Sequence, residues 1–261
     1  VSILRERGVI FVSPESGPVA CGDKGEGKLA SRMEIVLAAA KALLTQDMAG
    51  KKVLLTLGPT REPWDGVRIW TNPSSGRMGA ALALAAHLRG AEVYALAGPG
   101  VFGLPEKMQR IDVNTARQMF EAAVDLWPRM DLGIFSAAVA DFSPVPQGSA
   151  KFKKSAAADE ISIRFTRNPD ILATLAQRAH PEQKILGFAA ETDNLEQNAR
   201  AKLRAKGMHL AAANPIGLPD SGFIAENNTV FVCDCQGREE NWPTMPKADI
   251  AWRLLDWLLT L

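Results

Sequence analysis

The chain has 261 residues, 47% of them hydrophobic, and its 30 Lys and Arg against 29 Asp and Glu leave a net charge of +1. That length and a mean hydropathy near zero suit one full globular core. The balanced charge excludes a global attraction to nucleic acid or to an acidic membrane surface, so any anion must be bound locally.

Apolar runs are broken by charge before the roughly 20 residues a membrane span needs, and the first residues lack signal-peptide order, so no membrane partner is expected. The cysteines, Cys21, Cys233 and Cys235, are odd in number and fit neither a disulfide framework nor a zinc ribbon. A reducing cytoplasm is the expected setting. The opening without Met, in what reads as the end of a helix, predicts a piece cut from a longer polypeptide.

In chain order, residues 9–12 are an apolar strand candidate, 13–28 a Gly-rich loop and 33–44 a helix with apolar positions at helical spacing. A regular alternation then begins, with strands over 53–57, 92–97, 132–136, 184–188 and 209–213 and helices over 78–88, 116–127, 170–178 and 195–206. Short apolar strands alternating with amphipathic helices require a parallel sheet covered on both faces. The fold class is therefore α/β, Rossmann-like and mostly parallel. Two stretches depart from this rhythm. One is a flap over 151–167, in which 160–165 alternates as an exposed strand; the other is a terminal hairpin over 229–235 and 238–242, before a last helix over 247–259. The strands after Lys151 and near Phe231 are the expected subunit-interface surfaces.

The connection over 58–79 is far longer than is usual between a strand and its helix. Its end, Asn72-Pro73-Ser74-Ser75-Gly76 followed by Gly79, offers hydroxyls, backbone N–H groups and close approach at a helix N-terminus, which suits a phosphate chain. The same residues would also serve as an ordinary helix start. A dinucleotide oxidoreductase is disfavoured: the order is S-S-G-x-x-G rather than G-x-G-x-x-G, and the second strand ends without an acid for a ribose diol. No P-loop lysine motif occurs.

Asp141 follows the small residues 136–140 at the expected carboxyl edge of the sheet, where it could hold a ribose hydroxyl or a metal-bound phosphate, or simply form a turn. Lys151-Phe152-Lys153-Lys154 is a charge run that could be an ordinary solvated loop. With Arg68 and Asn72 on one loop and Lys202 and Lys206 at i, i+4 on one helix, it could instead surround a triphosphate. Asn72 is uncharged and offers donors to an oxyanion without quenching an amine. His87, His180 and His209 have no partner spacing and read as structural.

The motifs G-P-T-R-E-P (58–63), V-R-x-x-T-N-x-S-S-G-R-M-G (67–79), A-A-V-A-D-F (137–142), K-F-K-K (151–154), N-P-D-I (168–171) and G-F-A-A-E-T (187–192) resemble those of phosphopantothenoylcysteine synthetase, the ligase half of a bacterial bifunctional coenzyme A biosynthesis protein. The resemblance covers residues 50–261 as a ligase domain. It implies a homodimeric, CTP-dependent ligase using Mg2+ or another divalent cation, which joins 4'-phosphopantothenate to cysteine through an acyl-cytidylate. It places the nucleotide on Ser136, Ala137, Asp141, Lys151, Asn168, Pro169, Asp170, Phe188, Lys202 and Lys206, and the essential amide on Asn72. Arg68 is the candidate for the substrate's phosphate, with pairing to Asp65 or Glu62 as the alternative.

Residues 1–49 resemble the closing flap of the FMN-dependent decarboxylase that precedes the synthetase, with Cys21 at the family's catalytic acid. Without a flavin-binding body, Cys21 is expected to be an orphan and this polypeptide to lack decarboxylase activity by itself; the decarboxylase domain would be a covalent partner. Pro215 stands where the family has Asp after Asn. The competing readings are a dehydrogenase and a non-catalytic nucleotide-binding regulatory subunit.

Overall fold

A computed structural model describes residues 1–18, 24–106, 108–146, 148–153, 160–217, 222 and 224–261. The N-terminal segment holds α1 (Ser2–Glu6), a hairpin of β1 (Glu15–Pro18) and β2 (Lys24–Lys28), and α2 (Arg32–Leu43). The strand expected over 9–12 is not there. Val9, Ile10 and Phe11 are exposed and pair with no strand among the described residues, so apolar character alone gives their backbone no ladder. The loop expected over 13–28 instead contains the hairpin.

The main body runs through β3 (Lys52–Leu57), β4 (Arg61–Pro63), β5 (Ile69–Thr71), α3 (Arg77–Leu88), β6 (Glu92–Ala97), β7 (Gln109–Asp112) and α4 (Ala116–Leu126). It continues with β8 (Leu132–Phe135), β9 (Phe142–Pro144), β10 (Phe165–Arg167), α5 (Ile171–Gln177), β11 (Lys184–Glu191) and α6 (Leu195–Lys206). β12 (Leu210–Pro215), β13 (Asn227–Asp234), β14 (Glu239–Pro246) and α7 (Lys247–Thr260) complete it.

One eight-stranded sheet has the order β14-β13-β12-β11-β8-β3-β6-β7. Its six parallel strands, numbered along the chain, lie as 3-2-1-4-5-6, the doubly wound order in which the chain reverses direction between its first and fourth strands, here β3 and β8. Continuous apolar strands such as β3, buried from Val53 onward, need helices on both sides. Val53, Leu55 and Leu57 join the cluster containing α3 and α7, whereas Leu54 joins the one containing α4, α5 and α6.

The terminal hairpin is not an appendage. β13 pairs antiparallel with β12 and extends the sheet, which buries Phe231 to 2% exposure and removes that strand as a subunit interface. The strand expected over 160–165 is also shifted: β10 begins at Phe165 because β9 offers only Phe142–Pro144 to pair with.

Gly79 in the first turn of α3 marks a close contact between helix and sheet. A Cβ there would lie 2.3 Å from Leu57 Cβ and 2.6 Å from Ser136 Oγ. Gly79→Ala is expected to cost about 2 kcal/mol through overpacking, read as a lower urea midpoint at unchanged slope; an unchanged midpoint would show that the helix end can yield.

Candidate active site

A cleft of about 750 Å3 opens at the carboxyl ends of β3, β8, β11 and β12, outside the switch point where ligands of open α/β sheets bind. The loops after β3 and β8 remain joined beyond the sheet. Ala138 N–H donates to Gly58 O at 2.9 Å, and Thr60 Oγ1 accepts from Ala140 N–H at 3.1 Å. The Asn72 amide completes this seam by donating to the carbonyls of Ala138 and Val139 at 3.3 and 3.2 Å.

Asn72, Ser74 and Gly76 line one wall. The Ser74 hydroxyl accepts from Gly76 N–H at 3.2 Å, and Gly76, at φ +70°, is the N-cap of α3 without a side-chain cap bond. The helix therefore presents its positive end without a capping hydroxyl, as an oxyanion site requires. Ser75 lies beside these residues without lining the cleft.

Ser136, Ala137 and Asp141 line the floor and rim; Ser136 Oγ donates to Thr56 O at 2.8 Å, and Asp141 is exposed. The far wall carries Asn168, Pro169, Asp170, Phe188, Lys202 and Lys206. Asn168 donates to Ala140 O at 2.8 Å, and Asp170 accepts from Ala173 N–H at 3.0 Å as the N-cap of α5. Each lysine on this wall faces a carboxylate: Lys202 lies 2.5 Å from Glu191 and Lys206 3.1 Å from Asp170. The two cations on α6 are thus locally balanced, unlike the bare pair their i, i+4 spacing suggested.

Arg68 and Lys151 are not among the lining residues. Arg68 pairs with Asp65, the alternative left open by the sequence, and stands over the Trp64 ring at 5.4 Å. Asp65 also accepts backbone N–H bonds from Val67, Arg68 and Phe152 at 2.8, 2.6 and 3.0 Å. With the Trp64–Phe152 ring contact at 5.1 Å, this docks the segment carrying Lys151 on the β4–β5 loop. Cys21 and Lys154 lie outside the described residues.

Sequence reasoning missed Arg77, Arg167, Asn214 and Lys247, all of which line the cleft. Arg77 sits inside a quoted motif, where its type was a usable signal; Lys247 reaches the cleft only because α7 packs along α3, which no local pattern announces. Pro215 is paired with Glu191 at the end of β12, so the cleft there is lined by Asn214. Among the described residues no group of three or more His, Cys, Asp or Glu could hold a metal, and no helix is long and apolar enough to cross a membrane.

A family model described as the DNA/pantothenate metabolism flavoprotein C-terminal domain matches residues 48–261. The chain belongs to this family. It is 36% identical over 261 residues to a coenzyme A biosynthesis bifunctional protein CoaBC of Vibrio vulnificus strain CMCP6, and 38% identical over 263 residues to the protein of that name from Escherichia coli strain K12. The whole of this chain is covered in both comparisons, and it spans 65% and 64% of the length of those relatives. The crystal structure of the C-terminal domain of a CoaBC protein is 33% identical, with a TM-score of 0.68, covering 83% of this chain and 97% of that one. The family's mostly parallel, Rossmann-like architecture is the one observed here.

Burial would raise the pKa of Asp65, but the N–H groups of Arg68, Phe152 and Val67 and the Arg68 guanidinium outweigh it and hold the carboxyl at about 2. An unfolded Asp titrates near about 3.9, so this clamp contributes stability that is full above that value and lost as pH falls through the folded pKa. The stability gap between wild type and Asp65→Asn should be constant above about pH 5 and narrow as pH falls from about 4 toward 2. Urea unfolding at stepped pH measures it, and a pH-independent gap would refute the clamp.

Proposed function

We propose that this protein is a phosphopantothenate–cysteine ligase of coenzyme A biosynthesis that uses CTP, with the switch-point cleft as its active site. The observation that carries the reading is the meeting of Asn72, the uncapped N-terminus of α3 and Asp141 around one cleft in a chain of this family. The named relatives support the same pathway.

A carboxylate and an amine do not condense in water, so the acid must first gain a leaving group. In the first half-reaction a carboxylate oxygen of 4'-phosphopantothenate attacks the α-phosphorus of CTP. The bond to the β-phosphate oxygen breaks, and pyrophosphate departs with the electron pair. The N–H groups at the start of α3 hold phosphate oxygens, and Lys151 supplies charge once its segment leaves Asp65 for the cleft. A divalent cation fits here as an ion carried mainly by phosphate oxygens and water, with Asp141 as a single carboxylate. When bound, it neutralises charge on the phosphates.

In the second half-reaction the cysteine nitrogen attacks the acyl carbon, an oxyanion forms, and its collapse expels CMP while the ammonium proton passes to solvent. The donors of Asn72 are held by Ala138 and Val139 through bonds at the long end of the normal range. Exchanging one for a bond to the oxyanion therefore costs little. The reading includes a homodimer, for which Val67, Ile69, Trp70 and Phe142 are among the exposed apolar residues.

A pyrophosphate-release assay with 4'-phosphopantothenate, cysteine and each nucleotide in turn tests this reading, and release with ATP in preference to CTP would overturn the base assignment. Asn72→Ala should still release pyrophosphate and accumulate the acyl-cytidylate while ligation falls about 100- to 1,000-fold; Lys151→Ala should fail at pyrophosphate release. Both variants ligating at the wild-type rate would sink the assignment.

A further inference from the structure

Lys202 and Lys206, the singled-out lysines that line the cleft, each face a carboxylate, so positive charge without a close carboxylate must come from other residues of its lining. Among the described residues it comes from Arg167, at the end of β10, and from two residues on the opposite face of the sheet. Lys247 is the first residue of α7 and lines the cleft although only 5% exposed. Its ammonium donates to Gly222 O at 2.8 Å and Ala225 O at 2.6 Å, and among the described residues no carboxylate pairs with it. An ammonium has three donors, and two carbonyls neutralise no charge. Burial, and then the Arg77 guanidinium, push its pKa down to about 8, the response of a cation placed where charge is costly.

Arg77 is the first residue of α3 and lines the same end of the cleft. It donates to Ile224 O at 2.9 Å, and its carboxylate neighbour, Glu226 at 3.9 Å, is 88% exposed and screened by water. Neither α3 nor α7 has a side-chain cap bond, and the two helices pack against each other. Two cations and two positive helix ends therefore converge on one part of a cleft whose far wall carries Asp170 and two lysines already paired with carboxylates.

We propose that Arg77 and Lys247 form an anion subsite that receives the terminal phosphates of the nucleotide and holds pyrophosphate as it leaves. This rests on the ligase reading and fixes the nucleotide's direction: polyphosphate toward α3 and α7, nucleoside toward Phe188 and Asp141. A polyphosphate laid the other way would meet the Asp170 carboxylate and two lysines whose charge is already balanced. As the α–β phosphate bond breaks, the electron pair stays on a pyrophosphate oxygen, and the negative charge that grows there develops beside the two cations.

The test is calorimetric binding of inorganic pyrophosphate to the full chain, followed by steady-state kinetics. Arg77 is half exposed, so Arg77→Gln should keep the wild-type melting temperature while weakening pyrophosphate binding about 10-fold, the loss of one charge-assisted contact. Lys247→Met should weaken it further. Both should raise KM for the nucleotide and leave KM for the acid and for cysteine unchanged. Arg77→Lys should recover part of the loss. Wild-type protein that ignores pyrophosphate, an Arg77→Gln variant that binds it normally, or a KM effect confined to the acid would each overturn the subsite. Pyrophosphate binding by a wild-type protein that turns over no nucleotide would instead retain the subsite and sink the ligase reading.

Discussion

The site depends on the lateral contact between β3 and β8, the pair at which the chain reverses its direction across the sheet. Paired strands normally diverge once their ladder ends. Here the pairing continues past the sheet through an isolated bridge between Pro59 and Ala138, the Ala138-to-Gly58 bond and the Asn72 amide. These contacts keep the two loops joined to each other, so the cleft has a floor made of backbone. Small residues over 136–140 are a requirement of this geometry, because side chains of ordinary size would fill the space that the seam keeps open.

Gly79 and Ser136 show how closely the surrounding parts are fitted. The helix that offers its N-terminus to the cleft comes within van der Waals contact of β3 at Leu57 and of the β8 loop at Ser136. The positive end of α3 is therefore fixed relative to the Asn72 seam by packing rather than by a flexible side chain. Fixed dipoles need no reorganisation when charge develops, which is the physical advantage of building an anion site from backbone.

Much of this was legible in the sequence. Residues 92–97 and 195–206 coincide with β6 and α6 because a short apolar run and a period-3.6 pattern there agree with burial. Most of the nucleotide residues the resemblance implied share one cleft because they sit where strands end, and strand ends can be located from apolar runs. What escaped depended on pairing at a distance. Residues 9–12 have the composition of a strand and no partner; the terminal hairpin was visible as a hairpin, but its attachment to β12 was not. Lys247 looks like any polar residue opening a helix, and its burial follows from the packing of α7 on α3. Even the charge balance of Lys202 and Lys206 is set by Glu191 and Asp170, contributed by other elements.

The docked position of the Lys151 segment bears on how the two half-reactions of the proposed ligation would be separated. Phe152 is tied to the β4–β5 loop by a bond to the buried Asp65 carboxylate and by contact with Trp64, and Gly66 leaves room for the carbonyl of Ser149, which a Cβ there would approach to 2.1 Å. For Lys151 to act on the transferring phosphate, these contacts must be surrendered, and the charge attraction of a bound nucleotide is the force available to offset them. Asn72, by contrast, is already in the wall of the cleft and needs only to exchange one weak bond. In the proposed ligation, the first half-reaction would therefore require the Lys151 segment to leave its dock, whereas the second would use a seam that is in place beforehand.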